Sequence, residues 1–154
     1  MIGHSMGGLI LRLASPRIDH QDLLYGYVSL GTPHLGYLQG LKLYIRAGLS
    51  LFSNLYSNPC LNEISGKDSP QLHETAIYKM SVSGSLANFR KVVLVASSKD
   101  KYVSWHSARL ENMNRDFLKQ YTFIENEMIN NILGPKGNID RVERLEVDFN
   151  CVER

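Results

Sequence analysis

Cysteine is scarce. The 154 residues hold two, Cys60 and Cys151, far apart in the chain. That excludes a disulfide-stapled miniature fold and any paired-thiol redox or zinc motif, and the two are expected to be reduced thiols of an intracellular protein, with one disulfide between them as the alternative. An excess of one charge is also lacking: 17 Lys and Arg face 15 Asp and Glu, a formal net charge of +2. With no block of like charges there is no footprint for nucleic acid. No apolar run is long enough to cross a membrane, and no basic-then-apolar leader is visible at Met1. The five histidines show no ligand spacing, so neither a metal nor an organic cofactor is expected. What remains is ordinary: 44% hydrophobic and 21% charged residues, the balance of one globular domain. The cytoplasm is the expected compartment.

The informative stretch is GHSMGG, residues 3–8. Gly3-His4-Ser5-Met6-Gly7 is G-x-S-x-G, which in α/β-hydrolases is a tight strand-to-helix turn with the serine at its tip. Side chains at the two glycines would meet the turning backbone. With Gly and Ser near 7% usage, three fixed positions coincide by chance at about 3 in 10,000 sites, roughly 5% over a chain of this size. Context adds weight: Leu9, Ile10, Leu13 and Ala14 follow at helical spacing, and Pro16 stops the run. Only Met1 and Ile2 stand before the motif to form its strand.

Further along, residues 16–25 read as a polar connection and YGYVSL (25–30) as a short strand entering the loop GTPHLG, punctuated by Gly31, Pro33 and Gly36. LKLYIRAGLSLFSNLY (41–56) has helical spacing, SNPCLNEISGKDSP (57–70) is loop-like, and a helix is expected over 71–80. Val92–Ala96 within KVVLVASSKD (91–100) is unbroken and apolar, as in a parallel strand buried on both faces. SARLENMNRDFLK (107–119) places Leu110, Met113 and Phe117 on one helical face, and FIENEMINNIL (123–133) does the same with Ile124, Met128, Ile129 and Ile132 before Gly134-Pro135. RLEVDFN (144–150) alternates Leu145, Val147 and Phe149 with Glu146 and Asp148, an edge strand with one wet face. Strands alternating with helices predict an α/β domain with a parallel sheet flanked by helices. Sites in such sheets gather at the carboxyl ends of strands, where Ser5, the GTPH loop and Asp100 all fall.

A serine hydroxyl is a weak nucleophile that needs a base, and the base needs an acid to orient it. The chain order serine, acid, histidine favours Asp100, directly after the buried strand; Asp68 in GKDSP is the rival. The base is the difficulty. His4 is inside the turn, where the neighbour of the serine is usually structural, and His20 and His73 lie in polar segments. His34 reads as a loop-shaping residue or a pocket contact. His106 has the right order but follows Asp100 by only six residues, in the wrong loop. The first oxyanion-hole donor is the backbone N–H of Met6; the second should come from a loop after an earlier strand.

GHSMGGLILR, SLGTPHLG, VVLVASSKDKYVSWHSAR and EMINNILGP, in this order, resemble the lipase-like serine esterases of the α/β-hydrolase superfamily, and within them the eukaryotic branch with a C-terminal esterase domain. The resemblance covers nearly the whole chain. It implies that Ser5 is the nucleophile, Asp100 the acid and Met6 an oxyanion donor, with an ester or lipid as substrate and a place in lipid metabolism. It also implies that the family's histidine lies downstream of the last segment here. On that reading residues 1–154 are the C-terminal part of one α/β-hydrolase domain, starting at the nucleophile elbow and ending before the catalytic-histidine loop. Such a chain is expected to be inactive by itself and poorly soluble, because an elbow strand without upstream partners exposes an apolar edge. The alternative is a catalytically inactive binding or regulatory module on the same fold. Acyl transfer instead of hydrolysis would use the same residues.

Overall fold

The computed structural model describes residues 1–36, 59–112, 119–134 and 141–148. Their elements run β1 (Ile2–His4), α1 (Met6–Ala14), β2 (Gly26–Leu30), α2 (Pro59–Ile64), α3 (Ala76–Ser83), β3 (Lys91–Ala96), α4 (Trp105–Arg109), α5 (Lys119–Leu133) and β4 (Val142–Glu146). The strands form one four-stranded sheet in the order β1-β2-β3-β4, and every neighbouring pair is parallel. This is the α/β arrangement that alternating strands and helices imply.

The register places Gly3, Ser29, Leu94 and Arg144 side by side, and likewise His4, Leu30, Val95 and Leu145. Alternation then separates two faces of unlike burial. Tyr27, Ser29, Val92 and Leu94 have no exposed surface, and Tyr27, Val92 and Leu94 join Ile77 of α3 and Ile124, Met128 and Ile132 of α5 in one continuous core. Tyr27 also donates to the Gly8 carbonyl, which puts α1 on the same side. On the other face Ile2 is 72% exposed, Leu30 37% and Leu145 41%, and among the described residues neither these nor Val28, Val93 and Val95 join a buried cluster. Handedness accounts for the asymmetry. Right-handed crossovers that always step in the same direction across a sheet lay all their helices on one side.

Four sequence expectations change. The loop expected over 57–70 contains α2, which opens on Pro59, a residue preorganised for the first helical position. The helix expected over 71–80 is instead one turn, Leu72–Glu74, followed by α3; Thr75 between them is extended and caps α3 through its side chain. The helix expected over 107–119 ends at Arg109, because Leu110 turns left-handed at φ 52° while its side chain enters the core. β4 begins two residues before the expected strand, and Leu145 points to the open face, with Val142 packing on the core in its stead. The helical reading of 41–56, together with Met113, Phe117, Phe149 and Cys151, lies outside the described residues. α5 agrees with its pattern, and Gly134, at φ 86°, closes it by donating to the Asn130 carbonyl.

Candidate active site

Three strand ends converge. Ser5 follows β1, and its N–H donates to the Leu30 carbonyl at the end of β2 at 2.9 Å. Gly31 follows β2, and its N–H donates to the Val95 carbonyl near the end of β3 at 2.9 Å. Asp100 follows β3, with Oδ2 only 3.2 Å from where a Cβ on Gly31 would stand. Gly31 takes φ 53°, so the site asks for glycine twice over, by conformation and by room for the carboxylate.

Ser5 carries the strain of the turn, at φ 52° and ψ −128°. Outside glycine this conformation is rare and costs about 1–3 kcal/mol, and it concentrates at functional sites. Although Ser5 stands at the N-cap of α1, its hydroxyl makes no capping bond to the helix. Ser5 is half-buried at the positive end of a helix whose first N–H belongs to Met6.

The turn is tight where small residues meet. A Cβ on Gly3 would lie 2.5 Å from the Gly8 Cα, and one on Gly8 would lie 2.1 Å from Thr32 Oγ1. At Gly7 a Cβ would meet nothing within 4 Å. The sequence expectation therefore holds for Gly3 and not for Gly7; Gly8, one residue past the motif, is the second glycine that packing requires.

Asp100 is held by its own loop. Its Oδ1 accepts from the N–H groups of Tyr102 and Val103 at 2.8 and 3.0 Å, leaving Oδ2 turned to Gly31. Asp68 is exposed and accepts from the Ala76 N–H at the start of α3, a helix-capping role away from this convergence.

The histidines separate by their partners. His4 and His20 are exposed, and His73 is exposed and paired with Glu127. His106 stands in α4 with its ring edge-on to Trp105. His34 is fully buried. Its Nδ1 faces an Arg12 guanidinium nitrogen at 3.4 Å and its Nε2 lies 3.0 Å from Ser29 Oγ. An arginine can only donate, so Nδ1 accepts and Nε2–H donates to Ser29. Burial, then the neighbouring Arg12 charge, hold His34 well below the usual histidine range. It is a neutral loop-shaping residue beneath the site.

Arg12 escaped the sequence reading. It is fully buried on the sheet side of α1, and among the described residues its partners are His34 and the Met80 carbonyl, with no carboxylate. Desolvation lowers its pKa to about 10. The available signal was its place four residues after Gly8, on the stripe that faces the core.

The family described as "Putative serine esterase (DUF676)" matches residues 1–113, a span that contains the Ser5 turn, the GTPH loop and Asp100. The chain belongs to this serine esterase family. Among the described residues of this esterase-family chain, no three His, Cys, Asp or Glu side chains gather as metal ligands, and no helix is long and apolar enough to cross a membrane.

Proposed function

We propose that this chain carries the nucleophile half of a serine hydrolase acting on carboxylic or lipid esters. Ser5 is the nucleophile at a nucleophile elbow, Asp100 the triad acid and the Met6 N–H one oxyanion-hole donor. The observation that carries the reading is the strained Ser5, half-buried between a strand and a helix with its hydroxyl making no cap bond. Attack by Ser5 Oγ on the ester carbonyl would build negative charge on the carbonyl oxygen. The N-terminus of α1 is suited to receive that charge, since unpaired N–H groups and the helix dipole favour an anion there. Asp100 Oδ2, turned to Gly31, would orient an imidazolium from the neighbouring strand end.

The base is the missing member. Both ring nitrogens of His34 are engaged, His73 pairs its Nε2 with Glu127, His106 packs its ring against Trp105, His20 is exposed in a connecting segment and His4 sits on the turn itself. We take the base to come from outside these 154 residues, so that this chain alone turns over no ester. The same reading makes residues 1–154 the C-terminal part of one α/β-hydrolase domain, which the exposure of Ile2, Leu30 and Leu145 on one sheet face supports.

The test is covalent labelling of the chain by a fluorophosphonate, located by mass spectrometry, with imidazole added as a substitute base. Labelling confined to the Ser5 peptide and accelerated by imidazole supports the assignment. Labelling spread over several serines, or unchanged in Ser5→Ala, refutes it and favours a binding module on the same fold.

A further inference from the structure

The loop from Gly31 to Gly36 forms the middle of the convergence, and four side chains hold it from beneath. His34 Nε2–H donates to Ser29 Oγ at the end of β2. One Arg12 nitrogen from α1 reaches both Nδ1 and the carbonyl of His34, at 3.4 and 3.3 Å. From α4, Ser107 Oγ accepts from the Leu35 N–H at 3.0 Å and donates to the Gly36 carbonyl at 2.9 Å. Gly36 closes the loop at φ 70°, where a Cβ would stand 2.2 Å from the Ile64 carbonyl oxygen.

Arg12 is the costly member. Among the described residues no carboxylate partners it, and a buried guanidinium is retained against a desolvation penalty of several kcal/mol. Among the described residues its hydrogen bonds go to the His34 residue and, through its other terminal nitrogen, to the Met80 carbonyl of α3. It thus links the helix that carries Ser5, the loop that abuts Asp100 and the end of α3. A neutral residue of the same length would fill the space more cheaply but could not hold His34 in one tautomer.

We propose that Arg12 and His34 are positioning residues: a buried guanidinium–imidazole clamp that fixes the Gly31–Gly36 loop against α1. The clamp thereby keeps Gly31 against Asp100 and the Leu30 carbonyl on the Ser5 N–H. Its catalytic consequence rests on the reading of Ser5 as nucleophile; its structural half does not.

The experiment compares His34→Gln with His34→Leu, and Arg12→Lys with Arg12→Met, in the full chain. Glutamine can accept from Arg12 and donate to Ser29, whereas leucine can do neither. Amide hydrogen exchange of residues 31–36 is read against that of Ile124–Ile132 in α5. The clamp predicts that His34→Leu and Arg12→Met speed loop exchange by about tenfold or more while α5 keeps its protection, with His34→Gln near the parent and Arg12→Lys between. Fluorophosphonate labelling of Ser5 should slow in the same order, the probe concentration at half-saturation being unchanged. Equal exchange in His34→Gln and His34→Leu, or loosening shared equally by α5, overturns the clamp. Should Arg12→Met fail to fold, the two His34 variants decide. Should Ser5 of the parent chain not label, the hydrolase reading fails and hydrogen exchange alone decides the clamp.

Discussion

Gly8 and Thr32 touch so closely that no side chain fits between them: a Cβ on Gly8 would stand 2.1 Å from Thr32 Oγ1 and 2.9 Å from its Cβ. This contact seats the helix after Ser5 on the loop after β2. Gly8→Ala should therefore destabilise the chain by about 1–3 kcal/mol, the range for overpacking a filled site. Gly7→Ala, one residue away with open space around it, should stabilise α1 by about 0.5–1 kcal/mol through helix propensity. Urea unfolding of the two variants checks the contrast, and Thr32→Ala should recover part of the Gly8→Ala loss.

His34 sets a pH dependence. Its folded pKa lies well below 6.5, so below pH 6.5 the unfolded chain binds a proton that the folded chain does not. Stability attributable to this group is complete above pH 6.5 and is lost as pH falls, at up to about 1.4 kcal/mol per pH unit. His34→Gln should remove that slope. Chemical denaturation at a series of pH values between 7 and 5 measures it.

The two sheet faces should answer differently to truncation. Leu94, with no exposed surface, sits in the core, and Leu94→Ala should cost about 2–5 kcal/mol. Leu145, 41% exposed on the open face, should lose under about 1 kcal/mol as alanine. Replacing Ile2, Leu30 and Leu145 together by glutamate should raise solubility with little loss of stability, since a contiguous exposed apolar face drives association. Light scattering against concentration reads that outcome.

The two aspartates should separate cleanly. Asp68→Ala removes the acceptor for the Ala76 N–H and should cost about 1 kcal/mol of stability without changing the rate at which Ser5 labels. Asp100→Asn keeps an oxygen for the Tyr102 and Val103 N–H groups, so the fold should hold while imidazole-assisted labelling falls. Melting temperature and labelling rate together distinguish the two.

The sheet was legible because Val92–Ala96 and Tyr27–Leu30 carry strand patterns that local chemistry supports. α5 was legible because Ile124, Met128 and Ile132 repeat at helical spacing over a long segment. Short elements were not. α2 lies in a stretch rich in Asn, Ser and Pro, and Pro59 marks its start where proline is more often read as a break. α4 stops at Leu110 because burial of that side chain outweighs the cost of a left-handed backbone, which no local pattern announces. Leu145 and Val142 exchange roles because alternation fixes which residues share a face and leaves open which face is covered. That Ser5, the GTPH loop and Asp100 meet at neighbouring strand ends could be read from motif and order. Arg12 and Ser107 could not, since an arginine and a serine in helices ordinarily read as surface residues. Their partners lie 22 and about 70 positions away.

Ester turnover is the most direct measurement. The account predicts that the chain hydrolyses p-nitrophenyl butyrate no faster than Ser5→Ala in plain buffer, and that added imidazole produces turnover that Ser5→Ala lacks. Ser5-dependent turnover without imidazole would show that one of the five histidines already serves as base. No difference from Ser5→Ala under either condition would show that Ser5 is not a nucleophile.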